Sequence, residues 1–142
     1  MSFEKWFFKP EQFVDTKFDT AKDKSEFANR FRMFVITDFD MAYFTKAFYS
    51  RLSSTFGHIA HYDLMGFWGN FFTNTADKLE FLKQTRDNGG YGSPEFTYSD
   101  VERAIKVWLK GTDLIPKYEE LLRLEAEVSD RSELARLKAK YE

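Results

Sequence analysis

The residues best equipped for chemistry stand together at His58-x-x-His61-x-Asp63. Two imidazoles and a carboxylate are a ligand set for zinc, or for iron held on one face by two histidines and an acid. The pattern lacks the glutamate of His-Glu-x-x-His, so no general base comes with it. Asp63 also has a structural use, because its carboxylate can cap a helix by accepting from the first free backbone N–H groups. His58 and His61 are the only 2 histidines in the chain. Any serine or threonine nucleophile would therefore depend on them for its base, and no serine stands in a nucleophile-elbow sequence. A second acidic group, Thr37-Asp38-Phe39-Asp40, has the carboxylates of a magnesium site. Acids ahead of a helix act first as caps, however. Gly89-Gly90-Tyr91-Gly92 is not a phosphate cradle, since the Lys-Ser/Thr pair of a P-loop is missing. It fits the G-x-x-G clamp of some RNA-binding modules only without their basic flanks.

These groups must be held by helices. Gly57 can end one helix, His58–Tyr62 then form a short connection, and Asp63 opens the next. In that next helix Leu64, Phe67, Trp68, Phe71 and Phe72 share a face. Gly66 and Gly69 weaken it by roughly 1 kcal/mol each, which implies close approach of a neighbouring backbone. The spacing predicts this as the short central element. Before it, Phe27, Ala28, Phe31, Phe34 and Val35 mark a helix beginning at Asp23. Met41, Phe44, Phe48 and Leu52 mark a second, with Asp38 or Asp40 as its cap. After it, Thr73-Asn74-Thr75 caps a helix over Ala76–Arg86. Ser99-x-x-Glu102 reads as a capping box for a helix carrying Val101, Ala104, Ile105, Trp108 and Leu109, which Gly111 stops.

The last segment divides in two. Leu114, Ile115, Tyr118, Leu121, Leu122 and Val128 read as one apolar face, with Glu119, Arg123, Glu127 and Arg131 as an exposed ion-pair ladder. Leu134, Leu137 and Tyr141 fall nearly opposite. Either the chain breaks at Ser129-Asp130, or its tail reaches past the core to another surface. The sequence thus predicts an all-α domain of six or seven helices around an aromatic-rich core. It divides into an N-terminal arm (1–22), a helical core (23–128) and a C-terminal helical tail (129–142), read either as a frayed, charged helix end or as a protruding contact element.

Composition narrows the function. Lys+Arg number 21 and Asp+Glu 23, for a net charge of −2. That balance offers no basic stripe for nucleic acid, although Arg30, Arg32 and Lys46 would be the residues of such a site. With 0 cysteines, disulfides and thiolate metal sites are excluded. No apolar run approaches the roughly 20 residues that span a bilayer, and the opening MSFEKWFFKPEQF does not resemble a secretory signal. No membrane and a cytoplasmic location are expected. The 17 Phe, 7 Tyr and 3 Trp exceed what a small core readily hides, and exposed aromatics mark protein contacts.

The expectation is a non-catalytic module that binds a larger protein, as an adaptor, a regulatory subunit or an inhibitor of the kind mobile elements encode. It needs no cofactor. The candidate contact residues are His58, His61, Tyr62, Tyr91, Phe96, Tyr98, Leu134, Leu137 and Tyr141, and a homodimer through the tail is a further expectation. The competing readings are a metal-dependent enzyme or metal-binding protein at His58, His61 and Asp63, and a nucleic-acid-binding protein.

Overall fold

A computed structural model describes residues 7–55, 72–87 and 92–141. Among them are five α-helices, two short 3-10 turns and no strand, so the all-α class holds. The helices are α1 (Ala21–Ile36), α2 (Lys46–Thr55), α3 (Thr75–Asp87), α4 (Ser99–Lys110) and α5 (Leu114–Tyr141). The count expected from sequence was six or seven. The central helix predicted after Asp63 lies outside the described residues, except that Phe72 is described and buried.

α1 starts earlier than its apolar stripe suggests. Thr20 and Asp23 form a reciprocal capping box: the Thr20 hydroxyl accepts from the Asp23 N–H at 3.2 Å, and the Asp23 carboxylate accepts from the Thr20 N–H at 2.9 Å. Two of the four N–H groups left free at a helix start are thereby used. At its other end the chain turns through two consecutive left-handed residues, Asp38 and Phe39, each with φ 59°. Bulky residues rarely adopt this conformation. The Phe39 N–H reaches back to the Phe34 carbonyl at 2.8 Å. The turn swings the Phe39 ring into the core, 5.0 Å from Phe72 and 5.2 Å from Phe34. Asp38 is held by the Tyr118 hydroxyl, which donates to it, and by Lys78 at 3.1 Å.

This turn corrects the second predicted helix. Met41 does not begin it. Asp40 instead caps a 3-10 turn at Met41–Tyr43 by accepting from the Ala42 N–H at 2.9 Å. α2 starts afresh at Lys46, where the Thr45 hydroxyl accepts from the Phe48 N–H. Phe44, Phe48 and Leu52 keep their buried positions, whereas Met41 is exposed. Asn74 caps α3 by accepting from the Asp77 N–H at 2.8 Å. The capping box expected at Ser99 does not form. Ser99 is already the first helical residue, and its hydroxyl donates to the Gly92 carbonyl instead.

The core is a cluster of interlocked rings. Phe34 contacts Phe39, Phe44, Phe48 and Phe72, mostly edge to face, the arrangement that aromatic quadrupoles favour. Phe81 joins Phe31, Phe39 and Phe72. Phe8 and Phe13, ahead of α1, are also buried. The Asn29 side chain locks Phe8 in place, accepting from its N–H at 2.8 Å and donating to its carbonyl at 2.9 Å.

α5 is one unbroken helix of 28 residues, about 42 Å long. There is no break at Ser129-Asp130. Neither residue costs more than about 0.7 kcal/mol in a helix, and the Glu127–Arg131 pair at 3.1 Å ties the turn together. Pro116 sits in the first turn, where its missing N–H is no loss. The predicted single face on this helix also needs correction. Ile115 and Tyr118 are buried and Leu122 packs against the core, whereas Leu121 and Val128 are exposed.

One ion pair links the parts. Lys24 on α1 is 0% exposed, and its ammonium donates to both oxygens of Asp100 on α4, at 2.9 and 3.1 Å, and to the Pro94 carbonyl at 2.8 Å. Asp100 also accepts from the Val14 N–H at 3.0 Å. Removing one partner from such a pair leaves an uncompensated buried charge, at a cost of roughly 3–5 kcal/mol. Asp100→Ala is therefore expected to destabilise the fold by about that amount in urea unfolding. Lys24→Met leaves a carboxylate that is 12% exposed and still accepts from the Val14 N–H, so it should cost clearly less. Equal losses would show that the tether to the Val14 N–H adds nothing beyond the ion pair.

Candidate functional site

Two regions have the geometry to engage another molecule. The first is a cleft of about 520 Å³ between α1 and α2, within the size range of ligand sites. Its floor is aromatic: Phe27 lies 5.6 Å from Phe48 and 5.9 Å from Tyr98, and all three are buried. Asp19, Glu26, Arg30 and Arg51 stand around it. Several of its polar groups already serve the fold. Arg51 bonds both oxygens of Asp19, at 3.1 and 3.3 Å, and its guanidinium lies 4.3 Å from the centre of the Tyr98 ring. Asp23 belongs to the capping box. The cleft is thus an open one, with part of its polar lining already paired within the fold.

The second region is the distal half of α5. This helix runs antiparallel to α3, as the pairs Lys83–Glu119 and Thr75–Glu125 show. The Thr75 hydroxyl meets the Glu125 carboxylate at 2.5 Å, which places the start of α3 beside Glu125. Residues 126–141 continue roughly 24 Å further. Every residue from Val128 to Tyr141 is exposed. Charge pairs along the shaft hold this length helical: Arg123 bridges Glu120 at 2.6 Å and Glu127 at 3.0 Å, and Arg136 meets Glu133 at 2.6 Å. Arg123 holds Glu120 below the usual carboxylate range, and Arg136 does the same to Glu133.

The residues singled out from sequence fall in different places. Leu134, Leu137 and Tyr141 are on this overhang, with 58%, 37% and 74% of their surface exposed. Phe96 is exposed on the loop before α4. Tyr98 is buried, its ring being part of the cleft floor. His58, His61, Tyr62, Asp63 and Tyr91 lie outside the described residues. The two acids of Thr37-Asp38-Phe39-Asp40 are engaged separately, Asp38 with Tyr118 and Lys78, Asp40 with the Ala42 N–H. Among the described residues no group of three or more His, Cys, Asp or Glu could hold a metal ion. Of the basic residues considered for nucleic acid, Arg30 shares the cleft with three acids, and Arg32 lies 4.2 Å from the Phe7 ring. No helix among the described residues is long and apolar enough to cross a membrane.

Sequence reasoning missed the exposed row Leu121, Leu124 and Val128, having placed two of its members in the core. Their spacing of three and four was the available signal. Comparison with protein-family models, with curated proteins and with solved structures gives no match.

Burial pushes the Tyr98 phenol from 10.0 up to about 12; Arg51 opposes the shift, and Asp19, Asp23 and Asp100 add to it. The folded state therefore prefers the neutral phenol. Its contribution to stability is complete below pH 10 and is lost as pH rises through about 12. Unfolding midpoints measured over that range should fall more steeply for the parent chain than for Tyr98→Phe. Parallel curves would place the hydroxyl in water.

Proposed function

We propose that the protein is a non-catalytic helical module that binds a larger protein partner, with the distal half of α5 as its docking helix. The observation that carries this reading is the strip Leu134, Leu137 and Tyr141, exposed on a helix that extends beyond its support. Spacings of three and four are the register with which one helix face enters a hydrophobic groove. Tyr141 and the two leucines supply the apolar anchors. Arg136, Lys138 and Lys140 beside them suit a groove with carboxylates at its rim. The helix is formed before binding, so little ordering entropy opposes the contact. An adaptor, a regulatory subunit or an inhibitor would each use such an element.

The test begins with affinity purification of the full chain from its native host, followed by reconstitution with the purified partner. A stoichiometric complex is expected, and Leu134→Ala, Leu137→Ala and Tyr141→Ala together should abolish it while circular dichroism stays unchanged. His58→Ala with His61→Ala should leave the affinity as it was. A metal ion found by elemental analysis, lost with those histidines and needed for function, would replace this reading with the metal-site one.

A further inference from the structure

We infer that a groove between α4 and the segment ahead of α1 binds a fatty carboxylate, an unbranched hydrocarbon chain ending in one carboxylate. The groove encloses about 480 Å³, within the size range of small-molecule sites. It shares no lining residue with the α1–α2 cleft and none with the α5 overhang. Phe7, Phe8, Ala104, Val107 and Trp108 make its apolar walls. Phe7 and Val107 keep 43% and 72% of their surface open to water. The walls are formed in advance. Asn29 holds the Phe8 backbone through both its N–H and its carbonyl. The Arg32 guanidinium lies 4.2 Å from the centre of the Phe7 ring. Little ordering entropy then opposes an apolar guest.

The polar lining selects the head group. Gln12 and Arg103 complete the groove, together with the indole N–H of Trp108. Every unused hydrogen-bonding group among these three side chains is a donor. The Gln12 carbonyl already accepts from the Lys9 N–H at 2.7 Å, which leaves its amide protons. The Arg103 guanidinium and the Trp108 indole can only donate, and neither donates to a described residue. No carboxylate among the described residues lines the groove. Glu11, Asp100 and Glu102 flank the lining in sequence and stay out of it; Asp100 is taken up by Lys24 and the Val14 N–H. A guest must therefore bring acceptors and negative charge. Arg103 is the one charged group in the described lining, so a single charge is matched. Its planar fork fits the two oxygens of a carboxylate. The α1–α2 cleft differs, because acids and arginines mix there. Arg103 and Val107 stand one turn apart on α4, about 6 Å along its axis. A carboxylate held by the first leaves its chain against the second, where it displaces water from apolar surface. A further polar group on that chain would lose its water without gaining a partner.

The test titrates the full chain with decanoate, kept below its micelle concentration, by isothermal titration calorimetry. Saturable binding at one site is expected, and each methylene removed from the ligand should weaken it by up to about fourfold. The Trp108 indole N–H resonance, identified by its loss in Trp108→Phe, should shift along the titration. Arg103→Gln should weaken decanoate binding about tenfold or more and leave that of the neutral decanol unchanged. Val107→Glu, an exposed substitution that spares the fold, should abolish decanoate binding. Leu134→Ala with Leu137→Ala should leave it intact, which separates this site from the docking of a larger partner. Absence of saturable binding, a Trp108 resonance that does not move, or equal affinity of the parent chain and Arg103→Gln for decanoate would each overturn the inference. Binding to vesicles of anionic phospholipid without binding to decanoate would overturn it too, in favour of a membrane surface.

Discussion

The packing of α1 against α4 depends on keeping the Lys24 ammonium fully out of water. An ammonium has three protons to give, and here all three have acceptors: two oxygens of Asp100 and the Pro94 carbonyl. Its charge also lies 5.5 Å from the Tyr98 ring centre. A buried pair of this kind adds little net stability compared with an apolar substitute, because desolvation offsets the attraction. It does restrict the arrangement. The docking of α1 against α4 and the loop before it satisfies every proton, and the Val14 N–H on Asp100 ties the segment ahead of α1 to the same point. The aromatic core supplies the driving force, and the ion pair selects one geometry among those the rings would permit.

The turn at Asp38-Phe39 shows the same division of labour. Two left-handed residues in succession are unfavourable by of order 1–3 kcal/mol each. They persist because the surroundings over-determine them. The Phe39 ring is wedged among Phe34, Phe72, Phe81 and Tyr118, and Asp38 is fixed by Tyr118 and Lys78. The Tyr118 phenol is pushed well above its ordinary value by burial and by Asp38, which keeps it a donor at neutral pH. The strain thus couples α1, α3 and α5 at one corner.

What could be read from sequence follows from which interactions are local. The stripe Phe27, Phe31, Phe34 on α1 and the stop at Gly111 were legible because periodicity and a cap are properties of adjacent residues. The capping box at Thr20 was equally local but was passed over for the stronger apolar signal. The start of α2 was not legible, because a left-handed Phe39 is stabilised in part by rings distant in sequence: Phe72, Phe81 on α3 and Tyr118 on α5. Val128 was assigned to the core by its apolar character. Its exposure depends on where α3 begins, which no spacing within α5 reveals. Tyr98, expected with Tyr91 and Phe96 as a contact residue, is covered by an arginine from α2. The overhang was half legible, since the shift of apolar face after Ser129 was visible, and the continuity of the helix through it was not.

The docking role proposed for α5 rests on that continuity. A free peptide of some 12–15 residues is a marginal helix in water, because the first turn must be closed before any propagation bond is gained. Residues 126–141 avoid this nucleation step, since they extend a helix whose first turns are already fixed by Ile115 and Tyr118 in the core. Each added residue then gains a backbone bond, and the ladder from Glu120 through Arg131 adds a few tenths of a kcal/mol per pair. The overhang is therefore ordered before anything binds it, while its leucines, Val128 and Tyr141 remain uncovered. A chain that only had to fold would gain nothing by carrying those side chains into water. Under the proposed docking, anchoring one end and leaving Leu134, Leu137 and Tyr141 open lets association gain contact area without ordering a new segment.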